Sequence, residues 1–188
     1  MTATRSQALA AYPAELATSW SPIYGQAVTI RPIRPDDAAL ELAFLNRLSP
    51  ETRYNRFLGA GVRPTAAMVE KFTCIDYHEH MAFIATLMLD GEETQIGVAR
   101  YIRLPDGTGE FAIVIEDGWQ GCGVGRRLLE QLMEHARAEG VTALVGDVLA
   151  GNKPMLSFVK HLGFEADAHP ETRDLRRVTR QLGAPLPA

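Results

Sequence analysis

The sequence predicts an α/β fold, α+β in its strand order: antiparallel strands first, then strand–helix–strand–helix alternation. Three observations carry that expectation. Apolar runs are separated by Asp90-Gly91 and Pro105-Asp106-Gly107, which are turn signals between strands that fold back on each other. The run Phe111-Ala112-Ile113-Val114-Ile115 has the unbroken apolar character of a buried strand. A glycine-rich turn then opens an amphipathic helix whose Val124, Leu128, Leu132 and Ala136 share one face.

The elements follow in order. Residues 1–25 are rich in Ala, Ser and Pro, show no period, and are expected to form a loosely docked N-terminal arm. Val28 and Ile30 alternate with Thr29 and Arg31, the period of a strand. Pro35-Asp36-Asp37 opens a helix, with acidic side chains suited to its positive end and Leu40, Ala43, Phe44 and Leu48 at helical spacing. Ser49-Pro50-Glu51 starts a second helix to about Phe57, with Ser49 as N-cap and Pro50 in the first turn. Thr65 to Phe72 reads as a third, short helix. Met81 to Leu89 and Gln95 to Leu104 form a predicted hairpin, and Glu110 to Glu116 the buried strand. Gly140 closes the long helix. Ala143 to Leu149 is a strand and Pro154 to His161 a helix. Gly163-Phe164 leads into a further strand region, and Asp174 to Leu182 forms the last strand. One domain over residues 26–182, with a flexible tail at 183–188, accounts for the chain.

The 188 residues are enough for one buried core. With 46% hydrophobic and 22% charged residues, the composition is that of an ordinary globular domain. A net charge of −4 excludes a chain-wide nucleic-acid footprint. No apolar run is long enough to span a bilayer, and none follows Arg5 as a signal peptide would require. Two cysteines, Cys74 and Cys122, make no disulfide framework, so a reducing cytoplasm is the expected compartment.

The chemistry is concentrated in Gln120-Gly121-Cys122-Gly123-Val124-Gly125-Arg126. Glycines permit positive φ and close approach of backbone to a ligand. The unpaired N–H groups of a helix's first turn, with the helix dipole behind them, favour an anion such as a pyrophosphate. Arg126 and Arg127 add positive charge. A Walker loop would require Lys-Ser/Thr where Arg126-Arg127 stand. A dinucleotide fingerprint would require a different glycine spacing and a later acidic residue.

Gln120-x-x-Gly123-x-Gly125 resembles the acyl-CoA loop of the GNAT superfamily of N-acetyltransferases. Trp119 before it, Leu128-Leu129 after it, Asn152, and Leu162-Gly163-Phe164 agree with that likeness. The segments Tyr12 to Leu16, Ile30 to Asp37 and Leu48 to Phe57 resemble one branch of it, the GNAT domains of bacterial protein-lysine acetyltransferases. The resemblance implies a GNAT fold: a central mixed, mostly antiparallel twisted sheet with helices on both faces and a splayed parallel strand pair holding acyl-CoA. It implies acetyl-CoA as co-substrate, no metal, and direct attack by an amine, a protein lysine in this branch. Gln120, Gly121, Cys122, Gly123, Val124, Gly125 and Arg126 would take the pyrophosphate. The backbone of Ile113, Val114 and Ile115 would hold the pantetheine arm, with Asn152, Met155 and Phe158 also facing the cofactor. An attacking amine must first lose a proton, and the resemblance assigns that task to Glu110. Partial desolvation beside an apolar strand would make its carboxylate a stronger base. Many members place an acidic tyrosine where this chain has Val159, so no general acid is expected. A small-amine acetyltransferase and a non-catalytic acyl-CoA-binding module stay open as alternatives, as does monomer or homodimer.

Other residues are read more plainly. Glu116 is turn or loop support. Cys122 fills space. His78-Glu79-His80 lacks a third metal ligand. Arg53, Tyr54 and Arg56 are expected to serve structure more than the acceptor cleft. Arg173, Arg176, Arg177 and Arg180 are expected on a solvated edge strand.

Overall fold

The computed structural model describes residues 11–23, 25–59 and 62–183. The expected tail beyond Gly183 and the first ten residues of the expected arm lie outside the described residues. Eight strands form one sheet: β1 (Thr18–Ile23), β2 (Gln26–Pro32), β3 (His80–Leu89), β4 (Glu92–Arg103), β5 (Gly109–Ile115), β6 (Ala143–Leu149), β7 (Glu165–Ala168) and β8 (Leu175–Gln181). Their spatial order is β1-β2-β3-β4-β5-β6-β8-β7. All neighbours are antiparallel except β5 and β6. The helices are α1 (Ala38–Arg47), α2 (Pro50–Phe57), α3 (Ala66–Thr73), α4 (Val124–Ala138) and α5 (Lys153–His161).

Two strands depart from expectation. Thr18–Ile23 lies within the segment read as an arm, yet it pairs with β2 along the sheet edge. Pro22 interrupts any readable alternation, and an edge is where a strand tolerates proline. The segment is also tied to α4, where Gln131 Nε2 donates to the Leu16 carbonyl and Thr18 Oγ1 donates to Gln131 Oε1. The basic strand β8 is no edge, because it runs between β6 and β7. Its arginines find partners across the sheet: Arg177 binds Asp147, and Arg180 donates to the Gly163 carbonyl.

β4 shows how the sheet separates two helical layers. Tyr101 on one face meets His135 of α4 (3.1 Å), and beneath α4 the apolar stripe Leu128, Leu132 and Ala136 is fully buried. Arg100 on the other face meets α1 and α3: its Nη2 donates to Glu41 Oε1 (3.1 Å) and its Nη1 to the Phe72 carbonyl (3.1 Å). Simple alternation would turn Gln95 toward α4. The register of β4 against β3 skips Ile96, however, and this bulge swings Gln95 to the α1 side, where its Nε2 donates to Glu41 Oε2 (2.5 Å). Glu41 and Arg100 are 1% and 4% exposed, so each supplies the compensation the other's burial demands. At the rim of this layer, burial and the neighbouring Arg100 push His80 down to about 4.

Two outcomes follow. Arg100→Met strands the Glu41 carboxylate and should lower the unfolding free energy in urea by about 3–5 kcal/mol, with Glu41→Leu/Arg100→Met recovering most of it. His80 takes a proton in the unfolded chain near its ordinary 6.5 but in the folded protein only near 4. The stability it supports is therefore complete above pH 6.5 and lost as pH falls toward 4. Thermal melts between pH 7 and 4.5 should show a decline that His80→Asn makes shallower.

Candidate active site

The site begins where two strands part. β5 and β6 pair only at Gly109–Leu144 and Glu110–Val145. The last close approach is at Gly146, where a Cβ would come within 2.8 Å of the Phe111 ring and 3.2 Å of the Phe111 carbonyl. Phe111 in turn packs on Phe164, with ring centroids 5.0 Å apart. Beyond it, Ala112 to Ile115 keep their hydrogen bonds to β4 but have no partner on β6. The opening forms a cleft of about 690 Å³. One wall is β5 and α2, the other β6 and α5, and its floor is the glycine-rich turn with the start of α4.

That turn is shaped for an anion. Gly121 and Gly123 have φ of +76° and +85°, with nothing within 4 Å of where a Cβ would stand. Among the described residues, no backbone N–H from Gly121 to Arg126 donates to a protein acceptor, and no side chain caps α4. Those donors and the helix dipole face the cleft floor. Gln120 Nε2 donates to the Ile115 carbonyl (3.1 Å), tying the turn to the end of β5. Arg126 lines the cleft and pairs with Glu130 (2.8 Å), whereas Arg127 stacks on Trp20 (4.9 Å) on the other side of the helix.

Asp117 joins this floor to the α2 wall. Its carboxylate accepts from Ser49 N (3.0 Å), Ser49 Oγ (2.7 Å) and Thr52 Oγ1 (2.7 Å). Burial raises this carboxyl, but those hydrogen bonds outweigh it and hold Asp117 below the usual range. Ser49 Oγ also accepts from Thr52 N (3.1 Å), the expected N-cap. Next door, Glu116 takes two bonds from Arg47 (3.0 Å each), and Arg47 reaches the Gln95 carbonyl (2.7 Å). These ties let a short helix stand as a fixed wall.

Glu110 sits at the mouth, where the strands separate. Its side chain is exposed, against the desolvation expected for it. It makes no hydrogen bond or ion pair among the described residues. On the facing strand Asp147 holds Arg177 (Nε–Oδ1 2.5 Å) and lies 3.4 Å from His169 Nε2. The hydrogen bonds that Arg177 donates to Asp147, with the charges of Asp147, Glu110 and Glu171, raise Arg177 above its ordinary range against the effect of burial.

A family model described as the Acetyltransferase (GNAT) family matches residues 44–164. The chain belongs to the GNAT acetyltransferase family. It is 36% identical over 148 residues to acetyltransferase PA5475 of Pseudomonas aeruginosa, covering 78% of this chain and 80% of that protein. It is 30% identical over 141 residues to acetyltransferase Pat of Mycolicibacterium smegmatis, covering 74% of this chain but 41% of that longer protein. Its fold matches the GNAT domain of S. lividans PAT with a TM-score of 0.81 at 27% identity, covering 90% and 99% of the two chains. The chain is thus an acetyltransferase with the GNAT sheet. Among the described residues no helix is long and apolar enough to cross a membrane.

The fold brings most of the acetyltransferase's expected site residues together. Glu110, Ile113, Val114, Ile115, Gln120, Gly121, Gly123, Gly125, Arg126, Asn152, Met155 and Phe158 all line the one cleft. Cys122 and Val124 do not. Val124 is fully buried and Cys122 turns its thiol to the Gln120 carbonyl (3.7 Å), leaving their backbone N–H groups as what they can offer. Asn152 caps α5, accepting from Met155 N (3.1 Å). Val159 is fully buried, so that position presents nothing to the cleft. His78 and His80 diverge, one toward Glu139 and the other toward Arg100. Arg53 is structural as expected, donating to the Leu48 carbonyl (2.9 Å). Arg56 packs over the rings of Phe57 and Phe72 and also lines the cleft beside Thr52 and Asn55. Asp147 was missed because nothing local marks it; only the register of β6 beside β5 brings it near Glu110.

Gly123→Val forces a β-branched residue to φ +85°, a strained conformation. Circular dichroism should remain native, while calorimetric affinity for acetyl-CoA falls about tenfold or more.

Proposed function

We propose that this acetyltransferase takes its acyl group from acetyl-CoA and passes it directly to an amine, a protein lysine, with Glu110 as the base. The observation that carries this reading is an unpaired, exposed carboxylate standing where two strands open, above a cradle of unpaired N–H groups. The donor set fits acetyl-CoA. N–H groups from Gly121 to Arg126 suit its pyrophosphate, and the unpaired β6-facing edge of Ile113 to Ile115 suits the amides of its pantetheine arm. Met155 and Phe158 of α5 line the wall beside that edge. Acetyl-CoA supplies a thioester already activated for acyl transfer.

The chain's own residues then have a short task. The acceptor arrives as an ammonium ion, and Glu110 removes one proton so that the nitrogen lone pair can attack. The exposed mouth admits a side chain from a bulky partner, and the likeness to Pat proteins over most of the chain supports a protein acceptor. With Val159 buried, the CoA sulfur leaves as thiolate or takes its proton from water.

Glu110→Gln should lower kcat/KM by about 100-fold or more, with acetyl-CoA affinity unchanged by calorimetry. Full activity in that variant would remove Glu110 from the mechanism. Mass spectrometry of bacterial proteins incubated with enzyme and acetyl-CoA should reveal acetylated lysines. Fast turnover of a small amine without any labelled lysine would point to a small-molecule acceptor instead.

A further inference from the structure

Several charged groups around the cleft are already held by other side chains. Asp117 is committed to Ser49 and Thr52, Asp147 to Arg177, and Arg126 to Glu130. Arg100 beneath the wall is committed to Glu41, which also takes the amide of Gln95. Glu51, Glu110 and Arg56 line the cleft without an ion-pair partner among the described residues, and Arg56 is the cation of the three. Among the described residues its guanidinium has no hydrogen bond and no carboxylate partner, yet it is half-buried and lines the cleft. It is held over the rings of Phe57 (5.1 Å) and Phe72 (5.9 Å), which fix its direction without neutralising it. Burial and the neighbouring charge of Arg100 push it down to about 10, with Glu41 opposing them. A half-buried cation in an apolar collar, next to another cation, is a group whose environment improves when an anion arrives.

We propose that Arg56 binds a carboxylate on the acceptor, so that the preferred substrate is an amine that carries an anionic group. This rests on the acetyl-transfer reading above and names the acceptor's chemistry within it. Register supports the pairing of roles. Glu110 and Ala112 lie on the same face of β5, and Ala112 is the partner of Arg100. Arg56, beside Arg100, therefore stands along that face from Glu110, on the α2 side of the same opening. An acceptor held there meets a base for its ammonium group and a fork of N–H donors for its carboxylate. Guanidinium is suited to that task because its planar donors match two carboxylate oxygens at once. The carboxylate can come from an acidic side chain near the modified lysine, or from the α-carboxyl of a free amino acid.

The test compares acceptors in pairs with the intact enzyme and acetyl-CoA. One pair is a lysine peptide with a neighbouring Glu and the same peptide with Gln. The other is a free amino acid and its amide. The wild type should favour the carboxylate member of at least one pair by about tenfold to a hundredfold in kcat/KM, mostly through KM. Preference in the peptide pair identifies the protein source, and preference in the amino-acid pair the small-molecule source. Arg56→Gln should erase the preference, bringing the kcat/KM ratio within each pair close to one whatever the absolute rates. Arg56→Lys should keep part of it. N-acetylglutamate should compete with the acceptor in the wild type and not in Arg56→Gln, a readout that survives a variant of low activity. Equal use of both members of both pairs by the wild type, or an unchanged preference in Arg56→Gln, overturns the role of Arg56 while acetyl transfer stands. No acetylation of any acceptor overturns the functional reading and this one with it.

Discussion

Everything in this molecule depends on β5 and β6 losing each other after two residue pairs. A sheet that stayed closed would satisfy its backbone internally and leave nothing for a ligand. Here the ladder ends at Glu110–Val145, and the free edge of β5 becomes a row of directed donors and acceptors. The helix that follows starts at that opening, so its unpaired first-turn N–H groups end up beside the unpaired strand edge. Two sets of polar groups, left over from different elements, converge on one space.

Holding that space open requires rigid walls. The α2 wall is only two turns long and would be marginal alone. It is fixed by the Asp117 carboxylate at its start and by α1, whose Glu41 is locked beneath the sheet by Arg100 and Gln95. The bulge at Ile96 matters here out of proportion to its size, because it delivers Gln95 to the face where Glu41 needs a second donor. Buried charges in the outer layer thus serve a cleft they do not touch.

The order of elements from β2 onward was legible, because each carries a local sign: Ser49 and Thr65 at helix starts, Asp90-Gly91 in a hairpin, an apolar stripe along α4. The glycine loop was legible as a tight turn opening a helix with free N–H groups for the same reason. What was hidden depends on partners distant in the chain. β1 contains a proline and shows no period, so only pairing with β2 defines it. β8 reads as an exposed basic edge until β7 folds back to cover it. Glu41, Arg100 and Asp147 look like ordinary surface charges, and their burial or placement arises from register. Arg56 reads as a structural side chain until the turn of α2 places it along the cleft.

The contact between Phe111 and Gly146 has a consequence for which substitutions the fork can accept. One large ring and one missing side chain together fill the fork of the two strands. Neither position is free to change alone. A methyl group added at 146 collides with the ring, and a smaller residue at 111 leaves a void beside Phe164. Moving bulk from one strand to the other meets a further obstacle, because the Phe111 carbonyl also stands 3.2 Å from a Cβ at 146. The depth of the fork is in that sense a joint property of two distant codons.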